Sequence, residues 1–289
     1  MNPLVKKIDI HTHMFGSDAD AQNRILADKF IGISQCVLLA GTEDMRMGNR
    51  PPFLSEDACA LAAKYPDHFA WFCNLIPDGT EETFRKLRKY KEMGAVGMGE
   101  FGCRLRTDDP KMEHLFSCLE ELELPFLFHM APADQPPFYG MVDDPRMPGL
   151  EAVLRNHPKL IVIGHSQCFW FELSKTEETD PNKRNSYPTG KVMEGRVPEL
   201  MRKYPNLYCD LSAGSGQNAL LRDTEYAVKF IEEFQNRLMF GTDWLYQEGG
   251  HFPFALATWL DYLCHTRSLS YEAYKKVSRE NAERLFFHK

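Results

Sequence analysis

Eight short apolar segments recur along the chain, and each is followed by a polar loop and then by a stretch with helical periodicity. The segments are rich in Val, Ile, Leu and Phe and lack strict alternation, which is typical of strands that helices cover on both faces. They span residues 7–13, 35–41, 69–76, 95–102, 125–131, 160–166, 207–214 and 237–244. This repeated pattern constrains the fold more than any other feature of the sequence.

The intervening stretches carry the signals of amphipathic helices. Between Pro110 and Pro125, apolar side chains recur at spacings of three and four residues, as the buried face of a helix requires. Strands that alternate with helices pair in parallel through right-handed crossovers, and eight such units close into a (β/α)8 TIM barrel. An open doubly wound sheet is the alternative.

The 289 residues would suffice for two domains of ~150 residues each, but no linker divides them. We therefore expect a single domain over residues 1–289. Two further helical stretches, over 254–266 and 271–287, follow the eighth strand and predict a C-terminal helical extension. The segment 168–198 is unusually long and polar for a loop, which favours a lid or a binding loop.

The charge balance limits the classes of partner. Lysines and arginines number 34 against 41 acidic residues, a formal net charge of −7, so a broad basic surface for nucleic acid is not expected. No apolar run reaches the ~18 residues of a membrane span, and the first residues lack the pattern of a secretory signal. Eight cysteines without a C-x-x-C pair favour reduced thiols. We expect a cytoplasmic protein with a small-molecule substrate and no membrane partner.

Catalytic and ligating groups of TIM barrels lie at the carboxyl ends of the strands, where the loops to the helices begin. The first strand ends in His-Thr-His, and the alternation of a strand directs both imidazoles to the same side. The fourth, fifth, sixth and eighth strands carry Glu, His, His and Asp at the same end. The six candidate ligands are His11, His13, Glu100, His129, His165 and Asp243.

Imidazoles and carboxylates together suit Zn²⁺, with Mn²⁺ or Fe²⁺ as alternatives, whereas Ca²⁺ and Mg²⁺ prefer oxygen ligands alone. A single histidine at the end of a strand is more often a structural side chain. Four histidines and two acids at the same end of five strands are hard to explain by unrelated structural roles. The pattern therefore predicts a metal centre, of one or two ions, at the barrel mouth.

The sequence resembles the amidohydrolase superfamily in the segments IDIHTH, LPFLFHM, VIGHSQ and RLMFGTDW, and in its last helix, SRENAERLFF. It is most similar to the amidohydrolase-related branch that contains aminocarboxymuconate semialdehyde decarboxylase-like proteins and several lactonases. The GMGEFG strand instead resembles the Gly-Glu strand of TatD-type hydrolases, in which the glutamate bridges two metal ions. Decarboxylase-like members generally lack this glutamate, so the sequence departs from their pattern.

The resemblance implies two alternative metal centres. In the first, all six residues bind two ions that Glu100 bridges, a water between the ions loses its proton, and Asp243 serves as general base. In the second, a single ion is bound by His11, His13, His129 and Asp243 without Glu100, and His165 is free to act as the acid–base group. The glutamate would then serve as a structural carboxylate in the loop after the fourth strand.

The first centre implies a metal-dependent hydrolase that cleaves a small amide, lactone or ester. The second implies a non-oxidative decarboxylase of an aromatic or muconate-like carboxylic acid. A barrel without catalysis would show gaps in its ligand set, and a TatD-type nuclease fits poorly with the acidic net charge. The family often forms dimers, which implies a homo-oligomer. The arginines that could pair with an anionic substrate are Arg46, Arg104, Arg184 and Arg222.

Overall fold

A computed structural model describes residues 3–44, 52–245 and 254–287 of the chain. Within these ranges, eight strands follow one another around a barrel in the order of the sequence. They are β1 Lys7–His13, β2 Ile33–Leu39, β3 Phe69–Phe72, β4 Met98–Phe101, β5 Phe126–Ala131, β6 Val162–His165, β7 Leu207–Asp210 and β8 Leu238–Met239. Two-residue strands at Met141–Val142 and Trp244–Leu245 pair with β5 and β1, respectively.

All pairs of neighbouring strands are parallel, and the barrel is closed. Cys73, directly after β3, forms a parallel bridge with Met98 of β4. At the other seam, the Ile10 N–H of β1 donates to the Phe240 carbonyl, directly after β8, at 3.1 Å. This closure confirms the predicted (β/α)8 barrel and excludes the open doubly wound sheet.

Helices cover the outside of the barrel and follow most of its strands. The helices span Asp18–Ile31, Ser55–Lys64, Glu81–Glu92, Pro110–Glu121, Pro148–Asn156, Gln167–Phe171, Pro181–Arg184, Arg196–Lys203, Ala213–Leu221, Thr224–Phe234, Phe254–Thr266, Tyr271–Lys275, Lys276–Glu280 (a π-helical turn) and Asn281–Phe286. None of these described helices combines the length and the apolar character that a membrane crossing requires.

The barrel interior and the space between barrel and helices form two separate apolar clusters. The interior cluster contains Ile8, Ile10, Val37, Leu39, Phe72, Leu127, Ile163, Tyr208 and Met239, together with Ala282 and Phe286 from the last helix. The Phe286 ring lies 5.1 Å from that of Phe72, near the starts of β2 and β3. The predicted C-terminal helices therefore cover the amino end of the barrel.

The predicted strand 7–13 agrees with β1, whereas the bounds of the other seven predicted strands and of the predicted loop 168–198 differ from the structure. The predicted seventh strand, 207–214, ends at Asp210, because Ala213–Leu221 is already a helix. The predicted loop 168–198 overlaps three helices, and an antiparallel bridge between Ser174 and Glu194 closes its base. Buried residues continue beyond the observed end of a strand, as Leu211 does after Asp210, so the apolar pattern alone does not mark the end of the element.

Candidate metal centre

The two histidines of β1 and the aspartate after β8 meet at the seam of the barrel. His11 and His13 alternate along β1, and their Nε2 atoms lie 3.1 Å apart. Asp243 has a φ of 53°, a left-handed conformation that aspartate tolerates better than most residues. Its N–H donates to the His11 carbonyl at 2.9 Å, and its Oδ1 lies 3.3 Å from the Nε2 atom of each histidine.

Glu100 of β4 lies beside these three donor atoms. Its Oε2 lies 3.6 Å from His11 Nε2 and 3.3 Å from His13 Nε2. The edge of a tetrahedron around Zn²⁺, with ligands at 2.0–2.1 Å, measures about 3.3 Å. The 3.1–3.3 Å spacings among His11 Nε2, His13 Nε2 and Asp243 Oδ1 therefore fit a divalent transition metal bound by these three residues, and His11 forms a second group of potential ligands with Glu100 and His165.

The second oxygen of Glu100 faces the other two candidate histidines. Glu100 Oε1 lies 2.7 Å from His129 Nδ1 and 3.6 Å from His165 Nε2. Asp243 Oδ2 lies 3.8 Å from the same nitrogen of His165. The structure thus brings all six predicted residues together, with the Glu100 carboxylate between two pairs of histidines.

One central residue of this cluster, Asp210 at the end of β7, was missed by the sequence analysis. Its Oδ2 accepts hydrogen bonds from His11 Nδ1 at 2.6 Å, from His165 Nδ1 at 3.0 Å and from Ser212 Oγ at 2.6 Å. These bonds place the protons of both imidazoles on Nδ1 and leave both Nε2 atoms for a metal. The signal was present, because Asp210 is a polar residue at the carboxyl end of a barrel strand.

The acids and histidines of the cluster change one another's pKa values. Burial lowers the pKa of His13, but hydrogen bonds to Asp243 and Glu100 outweigh burial and raise it to about 9. Burial likewise raises the pKa of Glu100, but hydrogen bonds to His11 and His129 hold it well below its usual range. The acids are therefore carboxylates at neutral pH, and the cluster attracts positive charge.

A cavity of about 560 Å³ opens onto the cluster. The Tyr139 ring stacks on the imidazole of His129, with ring centroids 4.0 Å apart and planes inclined at 29°. Apolar and aromatic side chains form much of the remaining wall, so the cavity suits a small molecule with an apolar body. Its lining includes His13, Glu100, Asp243, Phe53, Phe138, Tyr139 and Arg104.

The predicted substrate-binding arginines differ in their surroundings. Arg104 is exposed at the cavity wall, and its guanidinium has no partner among the described residues. Arg222 donates to Ser174 Oγ at 2.8 Å, at the base of the segment 174–194. Arg46 lies outside the described residues. Arg104 is therefore the predicted arginine that the structure places beside the candidate metal centre.

Arg184 and Trp170 have structural contacts that the sequence did not reveal. Arg184 is almost fully buried, and its Nη1 donates to the carbonyls of Pro132 at 3.4 Å and Asp143 at 3.5 Å. The segment 174–194 is thereby anchored to the barrel near β5. Trp170 is buried as well, and its Nε1 donates to the Asp210 carbonyl at 3.1 Å.

Comparison with known proteins identifies the family of this chain and several solved structures with a similar fold. A family model described as amidohydrolase matches residues 8–287, which is nearly the whole chain. A search of curated proteins found no match. Among solved structures, an uncharacterized TIM-barrel protein from Bordetella bronchiseptica is 16% identical, with a TM-score of 0.64 over 97% of this chain and 98% of that one.

Two further structures are similar to this chain over nearly their full lengths. A Pseudomonas putida protein provisionally assigned as a 2-pyrone-4,6-dicarboxylic acid hydrolase is 16% identical, with a TM-score of 0.60 over 99% of this chain and 98% of that one. A 5-carboxyvanillate decarboxylase from Novosphingobium aromaticivorans, solved with bound manganese, is 15% identical, with a TM-score of 0.56 over 98% and 97%. At these identities the likeness establishes the fold alone.

The position of Asp210 leads to a test of metal affinity. In Asp210→Asn, the neutral amide is a weaker acceptor, and its NH₂ faces either both imidazole N–H groups or the Ser212 N–H, so the orientation of His11 and His165 is disturbed. We expect the affinity for Zn²⁺ to fall about 10- to 100-fold, as measured by competition with a chelator. Asp223→Asn is the matched control, because Asp223 is also buried but contacts Lys191 and backbone N–H groups rather than a histidine. Equal affinities in the two variants would contradict the orienting role.

Proposed function

This chain belongs to the amidohydrolase family, and we propose that it is a metal-dependent hydrolase that cleaves a small amide, lactone or ester at the barrel mouth. The observation that carries the proposal is the position of Glu100. One of its oxygens faces His11 and His13, and the other faces His129 and His165. A carboxylate between two pairs of histidines is suited to hold two ions, and a pair of ions activates water for hydrolysis.

The family is metal-dependent, and the donor set of this chain fits one or two divalent transition-metal ions. Zinc suits the mixture of imidazoles and carboxylates, with manganese or iron as alternatives. When bound, the metal supplies Lewis acidity toward the scissile carbonyl and lowers the pKa of a bound water. The residues proposed to hold it are His11, His13, Glu100, His129, His165 and Asp243.

Asp243 is the residue best placed to move protons. Its side chain is 28% exposed and borders the cavity, whereas Glu100 is nearly buried. Burial raises the pKa of Asp243, but the charge of His11 and the hydrogen bond and charge of His13 outweigh burial and lower it. Asp243 is therefore a carboxylate at neutral pH that can take a proton from the attacking water and return it to the leaving group.

The cavity wall supports an anionic substrate. Arg104 has no partner among the described residues, and the cavity that it borders contains Phe53 and Phe138. A guanidinium in such a position forms a bidentate pair with a carboxylate, while the aromatic side chains pack against an apolar ring. The substrate proposed is therefore a small, largely apolar molecule with an acidic group remote from the scissile bond.

A single-ion decarboxylase of an aromatic or muconate-like acid is the second candidate. His11 Nε2, His13 Nε2 and Asp243 Oδ1 lie 3.1–3.3 Å apart and would hold one ion without Glu100, whereas His165 Nε2 lies 3.8 Å from Asp243 Oδ2. His165 would then serve as the acid–base group. The 5-carboxyvanillate decarboxylase among the similar structures, with its bound manganese, is compatible with this reading. The number of bound ions separates the two candidates.

Glu100→Gln tests the bridging role directly. A carboxamide has one acceptor oxygen in place of two, so it cannot serve both pairs of histidines. We expect the metal content of the purified protein to fall by one equivalent from the wild type to the variant. Glu172→Gln, which changes a buried carboxylate beside Arg184, should keep the wild-type metal content. Equal metal contents in the wild type and Glu100→Gln would favour the decarboxylase, and no bound metal with no gain on added zinc or manganese would contradict the metal centre.

Asp243→Asn tests the proposed general base. The amide cannot accept a proton at neutral pH, so kcat for a panel of lactones, esters and amides should fall about 10²- to 10⁴-fold. Asp144→Asn, which changes an exposed carboxylate paired with Arg106, should keep the wild-type rate. Carbon dioxide release from aromatic acids is measured in parallel. Hydrolysis by Asp243→Asn at the wild-type rate would refute the assignment.

Arg104→Met tests the anionic class of substrate. A charge-assisted hydrogen bond contributes about 1.5–3 kcal/mol, so KM for an anionic substrate should rise about 10- to 100-fold. The neutral methyl ester of the same compound should show no such change. Arg106→Met is the control, because Arg106 is paired with Asp108 and Asp144. An equal rise in KM for acid and ester would show that Arg104 does not bind the anionic group.

A further inference from the structure

A second group of metal-binding side chains lies between the first helix and the barrel wall. Asp28 belongs to helix Asp18–Ile31, Cys36 to β2, and His68 directly precedes β3. Asp28 Oδ2 lies 2.8 Å from His68 Nε2 and 3.1 Å from Cys36 Sγ, and the sulfur lies 3.9 Å from the same nitrogen. We propose that these three residues bind a transition-metal ion, with zinc preferred.

The donor types and their spacing support this assignment. A zinc ion with Zn–S of about 2.3 Å and Zn–N and Zn–O of about 2.0–2.1 Å places neighbouring donors about 3.3–3.6 Å apart. The observed spacings of 2.8 to 3.9 Å lie on both sides of this range, so side-chain shifts of about half an ångström suffice. A thiolate with an imidazole selects zinc over calcium or magnesium.

The position of the group allows an ion to enter. Asp28 and Cys36 are fully buried, whereas the side chain of His68 is 13% exposed. The ion therefore reaches the group along the edge of the imidazole. Three protein ligands also leave a fourth tetrahedral position for water.

The guanidinium of Arg24 lies next to the proposed ion, so two positive charges would be close together. Its Nε donates to Asp28 Oδ1 at 2.8 Å, which leaves Oδ2 for the metal. Its Nη2 donates to Asp9 Oδ2 at 2.5 Å and to Cys36 Sγ at 3.4 Å. An N–H donor on the sulfur stabilises a thiolate, and a hydrogen-bonded second oxygen orients a ligating carboxylate.

The charges of the metal-bound group balance. Asp9, Asp28 and a Cys36 thiolate carry three negative charges, and Arg24 with a divalent ion carries three positive ones. Buried charge is tolerated when it is paired in this way, so the guanidinium does not exclude the ion. Without the metal, the Cys36 thiol donates to Asp28, and metal binding releases that proton to solvent.

The site would have a structural role, distinct from the proposed reaction at the barrel mouth. Its ligands join helix Asp18–Ile31 and the adjacent β2 to the start of β3, where His68 lies 32 residues beyond Cys36. An ion that binds the folded chain and not the unfolded one raises the free energy of unfolding. The inference therefore predicts that zinc stabilises the protein through two separate sites.

Cobalt spectroscopy distinguishes the two sites, because sulfur bound to Co²⁺ gives a near-ultraviolet charge-transfer band. None of the six residues proposed to bind metal at the mouth is a cysteine. The metal-stripped full-length protein is titrated with Co²⁺, and we expect the band in the wild type and in Asp243→Asn. Cys36→Ser should abolish it. Cys103→Ser, which changes the buried cysteine that lines the mouth cavity, should keep it.

His68→Gln is a second test of the site. His68 is the partly exposed ligand, so its substitution disturbs the core least. We expect the Co²⁺ affinity read from the band to fall at least ~10-fold. A wild type without the band, a band that persists in Cys36→Ser, loss of the band in Cys103→Ser, or unchanged affinity in His68→Gln would each overturn the proposal. Because Asp243→Asn is measured in the same series, failure at the barrel mouth remains distinguishable from failure at this site.

Discussion

The carboxylate of Asp9 joins the first and last strands of the barrel. It is fully buried, and it accepts hydrogen bonds from the His11 N–H at 3.0 Å and from the Thr242 N–H at 2.9 Å and hydroxyl at 2.5 Å. Arg24 neutralises its charge from the first helix. A buried carboxylate with this many donors fixes the backbone on both sides of the seam. The positions of His11 and Asp243 follow from this closure, because both lie within two residues of the groups that Asp9 holds.

Buried charges need compensation both at the barrel mouth and at the group formed by Asp28, Cys36 and His68. At the mouth, Glu100 and Asp243 are carboxylates surrounded by imidazoles, and such a cluster is stable only with protons or metal ions between its members. On the other side of Asp9, Arg24 links the same strand to Asp28 and Cys36. Asp9 therefore lies between the two proposed ion sites, bonded to the His11 N–H on one side and paired with Arg24 on the other.

The barrel and the six candidate ligands could be predicted from the sequence because each depends on local pattern. Asp210 obeys the same strand-end rule as the six predicted ligands, but the predicted seventh strand extends to residue 214, so the rule points past Asp210. Arg184 could not be placed in this way. Its burial depends on where a short helix inside the segment 174–194 meets the carbonyls of Pro132 and Asp143. No sequence period encodes a contact between a loop and a remote strand end.

By itself the sequence determined how many strands form the barrel and which polar residues stand at their carboxyl ends. This sufficed to bring the histidines and acids together, because the carboxyl ends of parallel strands share one edge. The tertiary structure alone decided that the two oxygens of Glu100 face different pairs of histidines and that Asp210 orients His11 and His165. It also decided that Arg104 borders the cavity. These features depend on rotamers and on distances of a few ångströms between remote residues, which strand order and periodicity do not specify.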